Sequence, residues 1–390
     1  MTGPTSSPTR LRVLLHAADR TGPPMLARAL LRQVTSDHPE VQVDVVAFRG
    51  GEMVAELEAL GPVTVLLHDH EAWDHAAPDP VRVAELEAVT GALERPDAVL
   101  LVSISGGQCL PYFPEAPGGP GGALPVLSWV VEQGEDLHWL GTPVDMAART
   151  DVWLAGSATT RDELVGRLGP AVAIEVVPEF VETPADPAPE VVAARRDELR
   201  GGADDLLVVG AGIATVRKAP DLFLEAAAVA SHRDHDDAFV WLGGTDDPLW
   251  PLVDDERQRL GLDHFTLAPS VPDLTPTLAA ADVFLHTARL DAFPLVCLHA
   301  VLAGTPVVAF SGAGGVPEML GDAFVGAEYP DLAGLVEQLD RLRDPQVRVQ
   351  VAAAQLAYVA PRFTAASAAV AVVDAVARAL AGRSAQETVQ

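Results

Sequence analysis

Residues 286–320 have the sequence HTARLDAFPLVCLHAVLAGTPVVAFSGAGGVPEML, and this stretch decides the fold. Pro294 predicts the first residue of a helix, because its fixed φ suits that position and its missing N–H is not needed there. Gly304 predicts the end of this helix, and the apolar run 306–310 predicts a strand. A glycine-rich turn then leads to another helix at Pro317. This alternation of helix and strand is typical of a doubly wound α/β sheet.

The same alternation extends outward through the rest of the chain. Apolar runs that predict buried parallel strands lie at 11–16, 41–48, 98–103, 126–131, 206–210 and 238–242. In such a sheet, helix N-termini lie beyond the carboxyl ends of the strands, where their N–H groups suit phosphate or sugar hydroxyls. A doubly wound sheet whose loops bind nothing is the alternative.

Length and composition predict a two-domain globular protein without a membrane span. The 390 residues are enough for two cores, and residues 182–204, rich in Pro, Ala and charge, predict a linker. No apolar run reaches the ~18–20 residues of a span, and the N-terminus lacks the apolar core of a signal peptide. We therefore expect a cytoplasmic protein. Cys109 and Cys297 have no metal or redox spacing, so reduced thiols are expected.

The charge balance disfavours two classes of partner. The net charge is −29, from 26 basic and 55 acidic residues, and no basic run is present. Such a surface repels nucleic acid and anionic lipid. We expect no nucleic-acid partner, and a soluble acceptor is favoured over a membrane lipid.

Lys218 is the single lysine of the chain, and it follows a glycine loop at the end of the strand 206–210. A compact, flexible ammonium group is a good partner for a diphosphate, although a solvated surface lysine is the alternative. The Gly210-x-Gly212 pattern alone suggests a dinucleotide site. The next strand, 238–242, ends without an acid to hold an NAD ribose, which disfavours an oxidoreductase.

A cluster of histidines and acids lies between residues 68 and 75. His68, His70 and His75 are interleaved with carboxylates, so a metal site is one interpretation. Their spacing matches no pair of ligands on a helix, and a solvated loop is the prediction.

The motif Asp291–His299, followed by the runs 304–308 and 314–318, resembles the GT-B family of retaining nucleotide-sugar glycosyltransferases, of the family-4 type (glycosyl transferases group 1). That family carries an acid, seven residues and then a glutamate, whereas this chain has His299 at the second position. The resemblance implies an α/β fold of the GT-B type, with two Rossmann-like domains facing a central cleft.

The resemblance also implies which domain binds the acceptor and which binds the donor. Residues 1–183 would form an N-terminal Rossmann-like acceptor domain, and the helix 362–390 would pack back on it. Residues 205–361 would form the C-terminal domain for the nucleotide-sugar donor.

The resemblance further implies the catalytic residues. Arg217 and Lys218 would stabilise the leaving diphosphate, and Asp291 would bind sugar hydroxyls. The family's other arginine corresponds to Ile213 here, so Arg217 is the candidate to replace it. The remaining residues expected to contact the nucleotide sugar are Gly22, Gly212, Phe293, Pro294, Leu295, Val296 and His299.

The function that the resemblance implies is transfer of a sugar, with retention, from a nucleotide diphosphate sugar to a soluble small-molecule or glycan acceptor. Neither a metal nor a cofactor is expected, because Arg217 and Lys218 supply positive charge. Val131 lies where relatives have a histidine near the reacting carbon, and His299 replaces the family glutamate. A non-catalytic or chemically altered GT-B protein is therefore the alternative, and His299 is equally compatible with a packed core histidine.

Overall fold

The computed structural model describes residues 8–68, 73, 79–112, 124–134, 137, 146–203, 205–233, 235–243, 247 and 249–389. The chain divides into two compact units. The first unit comprises Met1–Phe180 with Thr364–Gln390, and the second comprises Val181–Phe363. The sequence had suggested boundaries at 183 and 362, with 182–204 as a linker. The second unit includes all of that segment, and a helix forms within it.

The first unit contains a parallel sheet of seven strands in the order β3-β2-β1-β4-β5-β6-β7. The strands are β1 Thr9–Ala17, β2 Val41–Arg49, β3 Val63–Leu67, β4 Ala98–Val102, β5 Val126–Val130, β6 Val152–Ala155 and β7 Ile174–Val176. The described helices are α1 Gly22–Asp37, α2 Val54–Glu58, α3 Pro80–Gly91, the 3-10 helix Ile104–Tyr112 and α4 Ala158–Leu168. Strands β4 and β5 are buried throughout; β4 is apolar at every position, and β5 is apolar except for Ser128.

The second unit contains a parallel sheet of six strands in the order β10-β9-β8-β11-β12-β13. The strands are β8 Leu207–Ala211, β9 Ala238–Gly243, β10 Phe265–Pro269, β11 Val283–His286, β12 Val307–Ser311 and β13 Gly326–Glu328. The helices are α5 Pro189–Arg200, α6 Pro220–Ser231, α7 Trp250–Leu260, α8 Thr275–Ala280, α9 Leu295–Leu302, α10 Val316–Leu320, α11 Leu332–Arg341 and α12 Pro345–Val359, with a 3-10 turn at Gly321–Ala323. The predicted class, two parallel α/β domains, is confirmed.

The last helix, α13 Ala365–Val389, belongs to the first unit and packs on α1. Alanine and valine side chains form the buried face, and two ion pairs fix the helix to the sheet. Arg378 binds Glu175 at 2.6 Å, and Arg383 binds Asp151 at 2.7 Å.

Part of this helix bears on the expectation, drawn from the count of apolar runs, that the chain has no membrane span. The segment Ala365–Arg383 is long and apolar enough to cross a membrane by length and composition, and 28% of it is buried. The count missed it because Asp374 and Arg378 interrupt the apolar run without removing its high average hydropathy. Core helices of soluble proteins pass the same test, so this property alone is weak evidence for a span.

Candidate functional site

The candidate site lies at the carboxyl edge of the second sheet, where two loops meet. Strands β8 and β11 are parallel neighbours, with Val208 paired to Val283 and Val209 to Phe284. The loop 212–218 follows β8, and the loop 287–294 follows β11. Because the carboxyl ends of parallel neighbours share one edge, residues far apart in sequence come together there.

Arg289 fastens the two loops to each other. Its backbone N–H donates to the carbonyl oxygen of Arg217 at 2.9 Å, and its guanidinium donates to the carbonyl oxygen of Val216 at 2.9 Å. The same guanidinium makes two bonds to the carboxylate of Asp221, at 2.9 and 2.6 Å. These contacts place the side chain of Lys218 against the second loop.

Lys218, Arg217 and Asp291, the predicted catalytic residues, form one cluster. The ammonium group of Lys218 donates to Oδ2 of Asp291, and Nη1 of Arg217 lies 3.4 Å from Oδ1. The side chain of Asp291 is only 9% exposed, against 18% for Lys218 and 41% for Arg217. The carboxylate is therefore buried beneath two cationic groups, of which Arg217 is the more accessible.

The charges around Asp291 keep it ionised. Burial alone would raise the pKa of this carboxyl, but the neighbouring Lys218 and Arg217 outweigh burial and lower its pKa below the usual value. Two cationic side chains therefore flank one ionised carboxylate in this cluster. Cationic groups in this arrangement suit an anionic ligand.

Gly212 lies beside this cluster and has a φ of +150°. A Cβ at this position would lie 3.4 Å from Cγ of Lys218, which is an ordinary van der Waals contact. The reason for glycine here is therefore the backbone conformation, which other residues avoid.

His286, at the end of β11, belongs to the same cluster and was missed by the sequence analysis. Its Nε2 lies 3.5 Å from Oδ2 of Asp291, and its side chain is 7% exposed. Burial lowers the pKa of His286 to about 4, an effect that Asp291 opposes and that Lys218 and Arg217 reinforce. The imidazole is therefore neutral at physiological pH. A histidine at the end of an otherwise apolar strand was the available signal.

The glycine-rich turn after β12 fixes the backbone of Asp291. The N–H of Asp291 donates to Ala313, and its carbonyl oxygen accepts from Gly315, both at 2.9 Å. A Cβ on Gly314 would lie 1.9 Å from that carbonyl oxygen, and one on Gly315 would lie 2.0 Å from the carbonyl oxygen of Ala292. These glycines are required because two backbone segments touch.

Helix α9 begins one residue later than the sequence predicted. Pro294 is the N-cap, with φ −68° and ψ 100°, and Leu295 is the first helical residue. Its extended ψ keeps Pro294 outside the helix, although its φ would fit inside. Within the described chain, the N–H groups of Leu295 and Val296 have no recorded hydrogen bond, as expected for a first helical turn. Phe293 is buried and packs edge-on against Phe363, with ring centroids 5.2 Å apart.

His299 lies on α9, and its side chain contacts the neighbouring helix α8. Its Nε2 and the hydroxyl of Thr275, the first residue of α8, are 3.0 Å apart. Burial lowers the pKa of His299, and Asp273 partly opposes this. His299 therefore belongs to a small polar contact between α8 and α9, beside the cluster that contains Lys218 and Asp291.

In the first unit, the sequence after β1 predicts a helix from Met25, but α1 begins at Gly22, so the polar loop before it is shorter. The helix starts early because Pro23 and Pro24 fit a first helical turn. Thr21 precedes it, and both its N–H and its hydroxyl donate to Oδ1 of Asp19, at 3.1 and 2.6 Å. Gly22 thus lies at a helix N-terminus on the carboxyl side of β1.

Val131, at the histidine position of the family, is buried at the end of β5. The adjacent Glu132 is buried too and accepts from the N–H groups of Ile104 and Val131, at 3.0 and 3.1 Å. Its other oxygen accepts from Ser103, a residue with a φ of +72°. Burial raises the pKa of Glu132 despite these bonds. This buried carboxyl was also missed, since sequence alone does not show which acid after a strand turns inward.

The histidine-rich segment lies largely outside the described residues, as His70 and His75 do. Among the residues that the structure describes, no group of three or more His, Cys, Asp or Glu side chains is arranged to hold a metal ion. Cys109 and Cys297 are buried free thiols.

Comparison with known proteins finds a family match within the second unit and a relative that aligns with about half of the chain. Residues 203–344 match the family described as glycosyl transferases group 1. A GDP-mannose-dependent alpha-(1-6)-phosphatidylinositol monomannoside mannosyltransferase from Mycolicibacterium smegmatis is 28% identical over 232 residues. That match covers 55% of this chain and 60% of the relative's length.

Solved structures resemble the whole chain. Anabaena Alr3699/HepE, solved in complex with UDP and glucose, has a TM-score of 0.74 at 16% identity and covers 95% of this chain and 100% of its own. Sucrose-phosphate synthase from Thermosynechococcus elongatus has a TM-score of 0.73 at 17% identity and covers 96% and 100%. At these identities the likeness shows the fold, which is GT-B.

Proposed function

Because residues 203–344 form a glycosyl transferases group 1 domain of the family-4 type within a GT-B chain, we propose that this protein is a retaining glycosyltransferase. It moves a sugar from a nucleotide diphosphate sugar to a soluble small-molecule or glycan acceptor in the cytoplasm. The reaction breaks the bond between the anomeric carbon and the diphosphate oxygen, and it forms a glycosidic bond to an acceptor hydroxyl on the same face.

The observation that carries this proposal is the cluster of Lys218, Arg217 and Asp291. Two cationic side chains share one buried carboxylate at the carboxyl edge of the sheet, which places positive groups where α/β folds bind their ligands. The proposed chemistry needs such a charge, because the departing diphosphate gains negative charge as its bond to the sugar breaks.

Each member of the cluster has a proposed role. Arg217, the more exposed cation, meets the diphosphate first, and Lys218 turns from Asp291 to the leaving oxygen as charge develops there. Asp291, which its neighbours keep ionised, accepts hydrogen bonds from sugar hydroxyls. Gly212 supplies the backbone conformation of the loop beside Lys218.

Further contacts with the donor are proposed around helix α9. The N–H groups of Leu295 and Val296 at its start point toward an anionic group, and Phe293 and Pro294 set the start of the helix. His299 binds a ribose hydroxyl, donating or accepting one hydrogen bond where a carboxylate would accept two. Gly22, at a helix N-terminus of the first unit, is proposed as a contact of the donor phosphates.

Two donors come first in a search for the substrate. The Mycolicibacterium relative is named as GDP-mannose-dependent, and the Anabaena structure holds UDP and glucose. GDP-mannose and UDP-glucose are therefore the first candidates. The net charge of −29 favours a soluble acceptor, because an acidic surface is repelled by anionic lipid. No divalent metal is required, since Lys218 and Arg217 supply the positive charge.

A ligand screen followed by a turnover assay tests the proposal. Thermal shifts are measured with UDP, GDP, ADP and dTDP, and then with their sugars. The expected result is a shift with one nucleotide and release of that nucleotide from its sugar in the presence of EDTA. Binding without release under any condition would instead identify a non-catalytic GT-B protein. Absence of binding to all four nucleotides would overturn the proposal.

A further inference from the structure

His286 has no role in the chemistry described so far, although it touches the centre of the site. Its Nε2 is buried without a hydrogen-bond partner, and its side chain is more than nine-tenths buried. The ring stacks on Phe284 with an interplanar angle of 21°, which restricts its orientation. Buried polar atoms without partners are uncommon in folded proteins and call for an explanation.

The nearest polar atom to that nitrogen is Oδ2 of Asp291, at 3.5 Å. Lys218 bonds to the same oxygen. If Lys218 turns to a diphosphate, it leaves a buried carboxylate with less compensation, which is costly. An N–H group close to the vacated oxygen would reduce that cost by donating to it.

We propose that His286 is a positioning residue that donates a hydrogen bond from Nε2 to Asp291 when Lys218 moves to the leaving diphosphate. Arg217 then holds Oδ1 and His286 holds Oδ2, so the carboxylate keeps its orientation toward the donor sugar. This inference rests on the proposed glycosyl transfer. It concerns a side chain to which the family resemblance assigned no role.

A neutral hydrogen-bond donor suits the position of His286 beside Asp291. Burial lowers the pKa of His286 to about 4, so the ring is neutral at physiological pH and carries a single proton. With that proton on Nε2, a neutral imidazole can donate a hydrogen bond to Asp291. It adds no positive charge that would compete with the hydroxyls of the donor sugar for the carboxylate. The side chains of Lys218, Arg217 and Asp291 are the charged groups that face it.

The kinetic test uses two variants of His286 and one matched control. His286→Leu removes the hydrogen-bond donor but keeps an apolar side chain in its place. His286→Gln restores an N–H group at a similar distance from the backbone. Thr305→Val is the control, since Thr305 is equally buried, bonds to the carbonyl of Leu278 and precedes β12 at the opposite edge of the same sheet.

His286→Leu should lower kcat about tenfold, the scale of one hydrogen bond to a charged group, and change the Kd for GDP or UDP less than about twofold. His286→Gln should recover most of the loss, and Thr305→Val should leave kcat unchanged. In an Asp291→Asn background, His286→Leu should have no further effect. Unchanged kcat in His286→Leu, no recovery in His286→Gln, or the full loss persisting beside Asp291→Asn would each overturn the inference.

Nitrogen-15 NMR of the imidazole gives a readout that does not depend on turnover. The expected tautomer has the proton on Nε2, and saturating GDP or UDP should shift that proton to lower field as the bond to Asp291 forms. A proton on Nδ1 in a protein that still binds nucleotide and turns over donor would overturn this inference alone. A protein that binds no nucleotide would overturn the proposed function as well.

Discussion

Replacing Lys218 by alanine perturbs both the stability of the second unit and its affinity for a nucleotide. In the structure the ammonium group bonds to Asp291, whose side chain is 9% exposed. After the replacement, the carboxylate keeps only Arg217 at 3.4 Å and the neutral ring of His286. The same change removes a cation proposed to bind the leaving diphosphate. The two effects can be separated by a second substitution.

The contacts of Lys218 determine how large the losses in unfolding free energy and in nucleotide binding should be. Breaking a buried ion pair by removing one partner costs about 3–5 kcal/mol. Because Lys218 is 18% exposed and Arg217 remains nearby, we expect a loss of about 2 kcal/mol in the free energy of unfolding. A hydrogen bond to a charged group contributes about 1.5–3 kcal/mol. Since Lys218 must leave Asp291 to reach the phosphate, the net loss in binding should be about 1–2 kcal/mol, roughly 5- to 30-fold in Kd.

Calorimetric titration with GDP and UDP measures the affinity, and urea unfolding measures the stability. Lys218→Ala combined with Asp291→Asn is the matched control, because a neutral amide no longer needs a cation. This double variant should regain most of the lost stability, while its nucleotide affinity should stay as weak as in Lys218→Ala. Wild-type affinity in Lys218→Ala would refute the proposed diphosphate contact, and an equally unstable double variant would refute the account of the buried pair.

Three further predictions concern neighbouring residues. His299→Glu should tighten nucleotide binding about fivefold in calorimetry, because a carboxylate accepts hydrogen bonds from two ribose hydroxyls. If affinity does not rise, and His299→Ala changes only Tm, His299 is a core residue. Gly314→Ala should lower the free energy of unfolding in urea by about 3 kcal/mol or more, since a Cβ would lie 1.9 Å from the carbonyl oxygen of Asp291 and the φ is +130°. Stability near that of the wild type would contradict this close packing. The free energy of unfolding should fall as the pH drops from 6.5 to about 4, because the unfolded chain binds the His286 proton in that range while the folded site, with its lowered pKa, does not. His286→Leu should reduce this slope, and an unchanged slope would contradict the burial of a neutral ring.

The sequence predicted the fold well where the pattern was regular. Apolar runs such as the one that became β12 are strands because a parallel sheet buries both faces, and Gly304 ends α9 with a φ of +84°. Short elements were missed, among them the three-residue β13, because so few residues carry no periodicity. The start of α1 was misplaced by three residues, since the two prolines after Gly22 were not counted as helical.

The candidate site was only partly predictable. Lys218 stood out as the single lysine, and the family resemblance implied that Lys218 and Asp291 share one site. Their direct pairing depends on the register of β8 against β11, which a single sequence does not reveal. His286 was overlooked for the same reason, because burial and a distance of 3.5 Å to Asp291 are properties of the folded chain. The contact between His299 and Thr275 likewise arises from helix packing.

The most direct measurement of the central claim is donor turnover with analysis of the product. The protein is incubated with GDP-mannose, UDP-glucose and then ADP- and dTDP-linked sugars in turn, together with a mixture of soluble sugar acceptors and EDTA. Proton NMR follows both nucleotide release and the anomeric configuration of the new glycoside. We predict release of nucleoside diphosphate from one donor, a product with the anomeric configuration of that donor, and loss of this activity in Lys218→Ala. Inverted product, or no release from any UDP-, GDP-, ADP- or dTDP-linked sugar, would contradict retaining glycosyl transfer by this chain.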